Sequence, residues 1–114
     1  MTTKRFAELS NELLEKNSDN KSAMSKLGSE FRTPGHIPVC LEQKGGLDTR
    51  EGHTELAVAL ARLAGVTPVV IGAEMLQPNG DAALSVGDAK KWAEERGILF
   101  LTGDEIKQIF NQKR

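Results

Sequence analysis

Segments with a helical repeat of apolar residues alternate along this chain with short apolar runs rich in β-branched residues. In residues 3–16 the apolar side chains recur every three or four positions, which predicts an amphipathic helix. The same spacing recurs from about Thr54 to Ala64. Ser85 and Thr102 each stand three residues before an acidic residue, a pattern typical of helix starts. The predicted helices therefore cover residues 3–16, 54–64, 85–96 and 102–112.

The apolar runs between these helices predict β-strands. They cover residues 36–41, 66–75 and 98–101, with the strongest β-branched cluster in the middle run. The resulting order of helix, strand, helix, strand, helix, strand, helix predicts an α/β protein, with α+β as the alternative, in which helices pack on a small mixed sheet. A sheet of so few strands has open edges, which a second chain can cover.

The length of the chain bears on its domain organisation. With 114 residues, of which 39% are hydrophobic, it is predicted to form a single domain over residues 1–114. Within it we expect an N-terminal helix over 1–16, a polar linker over 17–30 and a core over 31–114. A small domain buries a smaller share of its surface than a large one, so a partner chain would stabilise it.

Charge and cysteine content restrict the partners and the setting of the chain. The 15 basic and 16 acidic residues nearly cancel, which argues against nucleic acid or an anionic membrane as partner. No apolar run is long enough to span a bilayer, and no leader sequence is recognisable. The lone Cys40 cannot form an internal disulfide or a multi-cysteine zinc site. We therefore expect a cytoplasmic protein.

The segment Arg50-Glu51-Gly52-His53-Thr54 lies where a loop enters a predicted helix. The N–H groups of a helix's first turn lack intrahelical partners and carry partial positive charge, so they can bind a phosphate group. Gly52 allows close approach of the backbone, Arg50 can form a bidentate contact and Thr54 carries a hydroxyl. His53 carries an imidazole, the commonest protein ligand for a transition metal. The spacing alone also fits a threonine that only caps the helix, beside a solvated arginine and a surface histidine.

Two further residues are candidates for proton transfer. His36 follows the Pro34-Gly35 turn at the start of a predicted strand, where an imidazole can move protons near neutral pH. Glu74 ends an apolar run, and ligands of open α/β sheets bind at the carboxyl ends of strands. An ordinary histidine at a strand end and a solvent-facing glutamate are the alternatives.

In combination, these segments resemble 3,4-dihydroxy-2-butanone 4-phosphate synthases, specifically the C-terminal part of that family. The likeness extends from about Thr3 to the end of the chain, and the order and intervals of the motifs agree. The archaeal type has a similar Glu-Phe-Arg-x-Pro-Gly-His stretch, which here begins at Glu30. The matching motifs are Phe31-Arg32-Thr33-Pro34-Gly35-His36, Arg50-Glu51-Gly52-His53-Thr54-Glu55, Ala73-Glu74-Met75 and Asn79-Gly80.

The resemblance implies a lyase of riboflavin biosynthesis that converts ribulose 5-phosphate to 3,4-dihydroxy-2-butanone 4-phosphate and formate. It implies a divalent ion, Mg²⁺ or Mn²⁺, with His53 as one ligand. By the same resemblance, Arg50, Glu51, Gly52, His53 and Thr54 hold the substrate, and His36 and Glu74 form the acid–base pair. In the mechanism that the resemblance implies, a base would remove a proton beside the ketone, the metal would stabilise the enediolate, and loss of water, rearrangement and release of formate would follow.

One family feature is missing from this sequence. The family's N-terminal part carries an acidic loop of the type Asp-x-x-x-Arg-Glu-Asn-Glu-Gly-Asp, which supplies a metal-binding glutamate, and nothing similar occurs here. Magnesium prefers oxygen ligands, so His53 alone would not hold it. We therefore expect little activity from the isolated chain, and a companion chain with the acidic loop in a homo- or hetero-oligomer. A sequence cut from a longer protein that carries the loop is the equal alternative.

Two alternatives to a part of the lyase remain at this stage. The first is a non-catalytic interaction or regulatory subunit that retains the fold and a phosphosugar site. The second is a different metal-dependent phosphosugar enzyme, assembled with another chain. The joint presence of the site residues named above favours the lyase, because a scaffold without catalysis has no physical reason to retain all of them.

Overall fold

A computed structural model describes residues 3–113 of the chain, and their contacts divide it into two compact units. The first unit extends to Val70 and the second begins at Ile71. The first contains α1 (Thr3–Glu15), α2 (Asn20–Glu30), a short 3₁₀ helix (Gly46–Asp48) and α3 (His53–Leu63). The second contains α4 (Val86–Glu95) and α5 (Gly103–Gln112).

The predicted α/β or α+β architecture with a small mixed sheet is wrong. Within residues 3–113 the only β pairing is an isolated antiparallel bridge between Leu76 and Ala83. The three runs predicted as strands are irregular, and many of their large apolar side chains are exposed, including Leu41 at 84% and Leu99 at 78%. A strand exists through hydrogen bonds to a neighbouring strand, and an apolar pattern within one segment does not supply that neighbour.

The helices predicted from periodicity and capping are confirmed to within a residue or two at each end. Ser85 accepts a hydrogen bond from the N–H of Asp88 at 3.1 Å, so it caps α4. Thr102 and Glu105 form the predicted capping box, with the N–H of Thr102 donating to the Glu105 carboxylate at 2.7 Å. These contacts join residues three positions apart, which is why the sequence alone reveals them.

Residues 20–30, predicted to belong to a polar linker, form helix α2. Its start is capped by Asp19, whose carboxylate accepts a hydrogen bond from the N–H of Ser22 at 2.7 Å. The large apolar residues of α2 are Met24 and Leu27, and both are exposed. Two such residues do not make the broad apolar face by which helices are usually recognised.

In the first unit, α1 is joined to α2 by an aromatic contact and a cluster of ion pairs. The rings of Phe6 and Phe31 lie 5.5 Å apart, and Leu9 is 1% exposed. The Arg5 guanidinium donates to both carboxylate oxygens of Glu30, at 2.5 and 2.6 Å, and to Glu12 at 2.7 Å. Residues far apart in sequence thereby fix the end of α2 against α1.

In the second unit, the chain turns at Asn79-Gly80 before α4. Gly80 adopts a φ of 122°, which favours glycine, and the Leu76–Ala83 bridge closes the turn. Ala93 and Ile106 are the buried apolar side chains of α4 and α5. No helix among residues 3–113 is long and apolar enough to cross a membrane.

Candidate functional site

The Arg50–Thr54 segment forms the entrance to helix α3. The 3₁₀ helix at 46–48 turns the chain, and the N–H of Arg50 donates to the carbonyl of Gly46 at 3.1 Å. Gly52 is the N-cap of α3 and has no side chain with which to cap it. Thr54 therefore lies inside the helix, and the alternative that it serves only as the cap is wrong. The side chains of Arg50, Glu51 and His53 are exposed.

Behind this entrance lies a buried carboxylate that the sequence analysis did not single out. Glu55 is 0% exposed, and its Oε1 accepts a hydrogen bond from the N–H of Gln43 at 3.0 Å. The Nη1 of Arg50 lies 3.9 Å from the same oxygen. The Gln43 N–H and the positive charge of Arg50 hold the pKa of Glu55 below its usual value, although burial opposes them. Its Oε2 is buried and accepts no hydrogen bond from the described residues.

Gly52 is required here for space. Its φ of −88° is open to any residue, so backbone freedom is not the reason. A Cβ at this position would lie 2.6 Å from the Glu55 Oε2 and 3.2 Å from the Arg50 Nε. The missing side chain therefore leaves space in which the guanidinium and the carboxylate come close together.

A second ion pair holds the preceding loop to the last turn of α3. Nη1 and Nη2 of Arg62 donate to the two carboxylate oxygens of Glu42, each at 2.6 Å. This bidentate geometry is the strong form of an arginine–carboxylate contact, and it raises the pKa of Arg62 further above its normal value. Glu42 and Gln43 thus tie the loop to α3 at two successive residues.

His36 and Glu74, the predicted acid–base pair, lie in different units. His36 is exposed in the irregular segment after the Pro34-Gly35 turn of the first unit. Glu74 is exposed in the second unit, in an irregular run shortly before the Leu76–Ala83 bridge. The strand ends on which both predictions relied do not occur, so the fold gives neither residue the sheet environment expected for it.

The described residues do not by themselves make a magnesium site. Among residues 3–113 no three histidine, cysteine, aspartate or glutamate side chains come together in a way that could hold a metal ion. His53 offers one exposed imidazole, whereas Mg²⁺ prefers several oxygen ligands. The nearby Glu55 carboxylate is buried and already bonded to the Gln43 N–H.

A separate open cleft of about 640 Å³ lies within the second unit. It contains none of the predicted site residues, and its walls are open to solvent. One of them carries Trp92, over whose ring the Arg96 guanidinium lies at 4.5 Å. The lining residues are Gln77, Pro78, Asn79, Leu84, Asp88, Lys91, Trp92 and Glu95.

The family model and the similar proteins agree on one family. The family model of 3,4-dihydroxy-2-butanone 4-phosphate synthase matches residues 6–109. The enzyme of that name from Methanosarcina mazei is 40% identical over 110 residues, which cover 96% of this chain and 42% of the relative. The one from Methanosarcina acetivorans is 45% identical over 75% of this chain and 34% of its own length.

More distant bacterial proteins match the same chain. A riboflavin biosynthesis protein RibBA from Bacillus cytotoxicus is 38% identical over 72% of this chain, which corresponds to 20% of that protein. The chain therefore spans less than half the length of each of these three relatives.

Proposed function

Because this chain belongs to the 3,4-dihydroxy-2-butanone 4-phosphate synthase family, we propose that it supplies one wall of the active site of such a lyase. The substrate is ribulose 5-phosphate, and the products are 3,4-dihydroxy-2-butanone 4-phosphate and formate, in riboflavin biosynthesis. The chain covers 42% of its Methanosarcina mazei relative, and in this proposal the part that corresponds to the rest of such a relative, on a companion chain or on the same polypeptide, supplies the remainder of the site.

The observation that supports this proposal best is the entrance to α3. Gly52 leaves the first turn of an 11-residue helix without a capping side chain, and such a turn carries partial positive charge. Arg50 stands beside it with its side chain 62% exposed and one long contact to Glu55. Backbone N–H groups and a free guanidinium edge form a site suited to the phosphate of a sugar phosphate.

In this arrangement each residue of the entrance has a separate task. Arg50 binds the phosphate and Thr54 donates its hydroxyl, while the backbone of Glu51 and Gly52 approaches the ligand closely. Gly52 and Thr54 are half-buried and Arg50 is exposed, so the entrance to α3 is accessible from solvent.

We assign proton transfer to His36 and Glu74. The reaction begins with removal of the proton on the carbon beside the ketone, and the later loss of water needs an acid to protonate the departing hydroxyl. An imidazole and a carboxylate can serve these steps in turn. The exposed positions of both side chains leave them accessible to a substrate and to a companion chain.

His53 contributes one ligand for a divalent ion, Mg²⁺ or Mn²⁺, and the companion chain contributes the oxygen ligands. This division follows from the donor set, since one imidazole does not satisfy the preference of magnesium for oxygen. We expect the assembled protein to be a homo- or hetero-oligomer with the site between its chains.

The decisive experiment assays formate release. The chain is co-expressed with a companion polypeptide that carries the acidic loop and is supplied with ribulose 5-phosphate and magnesium. We expect formate from the assembled pair and little from either chain alone. Replacement of His36 or His53 by alanine should abolish formate release without preventing assembly.

Lys21→Ala is the matched control, because Lys21 is exposed on the first turn of α2 and its replacement removes a single positive charge. This variant should retain full activity. Absence of formate from an assembled pair would contradict the proposal and favour the non-catalytic subunit.

A further inference from the structure

We infer that Glu55 is a positioning residue: its buried carboxylate holds the Arg50 guanidinium at the mouth of α3, where a phosphate can bind. This inference rests on the proposed function. It adds a residue that contacts neither the substrate nor the metal and acts through Arg50.

Glu55 itself is held in place by its surroundings. It is 0% exposed, its backbone is in the first turn of α3, and its Oε1 accepts the N–H of Gln43 at 3.0 Å. The loop that carries Gln43 is held in turn by the bidentate contact of Glu42 with Arg62. A negative charge held in one place attracts a neighbouring guanidinium and orients it.

The Arg50 guanidinium, by contrast, contacts a carboxylate on one side only. Its Nη1 lies 3.9 Å from the Glu55 Oε1, and its Nε and Cζ lie 3.2 and 3.3 Å from the place of the missing Gly52 Cβ. The side chain is 62% exposed, so the remaining donors of the guanidinium reach solvent. A long side chain loses rotational freedom on binding a ligand, and prior restriction by Glu55 reduces that cost.

The Glu55 carboxylate can accept a further charged donor. The backbone N–H groups of Gln43, Glu55 and Gly52 all lower the pKa of this carboxyl, but its buried Oε2 has no hydrogen-bond partner of good geometry among the described residues. Such an oxygen favours the approach of the guanidinium. When a bound phosphate orients Arg50, the Glu55 Oε2 can accept a hydrogen bond from the side of the guanidinium that faces away from the phosphate.

A double-mutant cycle tests this inference. Ribulose 5-phosphate is titrated into the ¹⁵N-labelled chain, and dissociation constants are measured by amide chemical shifts for the wild type, Glu55→Gln, Arg50→Ala and the double variant. Glutamine retains an oxygen for the Gln43 N–H but removes the charge. We expect Glu55→Gln to weaken binding roughly tenfold, within the range that contacting pairs show in such cycles.

In the Arg50→Ala background the same change should weaken binding by less than about twofold, because its partner is gone. Glu15→Gln is the control: it removes one carboxylate charge at an exposed position of α1, and it should leave binding unchanged. Gly52→Ala is a second variant that separates Arg50 from Glu55 while retaining both, and it should weaken binding as Glu55→Gln does.

The other possible results distinguish failure of the positioning role from failure of the proposed substrate site. Wild-type affinity in Glu55→Gln, or an equal effect of Glu55→Gln with and without Arg50, would overturn the positioning role and leave the proposed function intact. Equal affinity of the wild type and Arg50→Ala would contradict the proposed substrate site itself, and the inference with it. The ¹⁵Nε signal of Arg50, recorded without ligand, should shift in Glu55→Gln; an unchanged signal would overturn the inference independently of the substrate.

Discussion

Arg5 and Arg50 lie in the same unit and contact carboxylates in opposite ways. Arg5 donates three hydrogen bonds of 2.5 to 2.7 Å to Glu30 and Glu12, and its side chain is 34% exposed. Arg50 has one contact at 3.9 Å, to Glu55, and is 62% exposed. The first arginine uses its donors to join α1 to α2, whereas the second retains most of its donors for a ligand.

The difference lies in where the carboxylates sit. Glu30 and Glu12 are near the surface, and both lie within hydrogen-bond distance of Arg5, so this cluster is complete in itself. Glu55 is buried and held by Gln43, so Arg50 must come to it and reaches it with one edge only. A closed cluster stabilises a fold, and an incomplete one at a helix N-terminus is suited to binding an anion.

The largest expected effect comes from the packing that supports the Arg5 cluster. Leu9 lies one turn after Arg5 on α1 and is 1% exposed. Leu9→Ala should lower the free energy of unfolding by about 3 kcal/mol, because a buried leucine leaves a cavity. Leu14→Ala, at an exposed position of α1, should change it by less than about 0.5 kcal/mol. Urea unfolding measures both, and equal effects would contradict the assignment of Leu9 to the core.

The second effect concerns the close contact at Gly52. Gly52→Ala places a Cβ 2.6 Å from the Glu55 Oε2, so it should lower the free energy of unfolding by about 1–3 kcal/mol. Gly28→Ala in α2 meets no atom within 4 Å and should instead raise it by about 0.5–1 kcal/mol. Stabilisation by both changes in urea unfolding would mean that the space at Gly52 is not restricted.

The third expected effect is a pH dependence of the stability, which arises from the ion pairs of Arg5. Hydrogen bonds from Arg5 and Lys26 lower the pKa of Glu30 from 4.5 to about 2. Because the unfolded chain binds the proton first, the stabilisation is complete above about pH 4.5 and is lost as the pH falls toward 2. Glu30→Gln should reduce the change in stability between pH 5 and pH 3, measured by urea unfolding. An identical pH profile in the variant would contradict the role of this carboxylate.

The smallest effect on stability should come from Arg50. Arg50→Ala removes an exposed side chain with one long contact, so the free energy of unfolding should change by less than about 0.5 kcal/mol. The affinity for ribulose 5-phosphate should nevertheless fall by roughly tenfold or more, because a charged hydrogen-bond donor is lost. A large loss of stability without loss of affinity would reverse the comparison of the two arginines.

Local signals explain which parts of the fold the sequence predicts. The starts of α4 and α5 depend on Ser85 and Thr102, whose partners lie three residues away. The strand predictions failed because pairing is a property of two segments, and the apolar run around Val70 and Ile71 carries no information about a neighbour. Helix α2 was missed because its Asp19 cap is followed by few apolar residues.

The same limit applies to the candidate site. The position of the Arg50–Thr54 segment at a helix entrance follows from local sequence and agrees with the structure. The contact of Glu55 with Gln43 joins residues 12 positions apart and depends on how the loop folds back. No repeat or motif in the sequence therefore predicts it. The available signal was a glutamate three residues after Gly52, a position from which carboxylates reach the backbone at helix starts. The roles of His36 and Glu74 stay predictions.

We propose above all that the entrance to α3 binds the phosphate of ribulose 5-phosphate. Amide chemical-shift mapping of the ¹⁵N-labelled chain with this ligand tests it most directly, with inorganic phosphate as a second probe. We predict that the largest saturable shifts occur at residues 50–54, that both ligands cause them, and that they disappear in Arg50→Ala. Shifts concentrated at α2 or at the cleft beside Trp92, with residues 50–54 unchanged, would contradict the account.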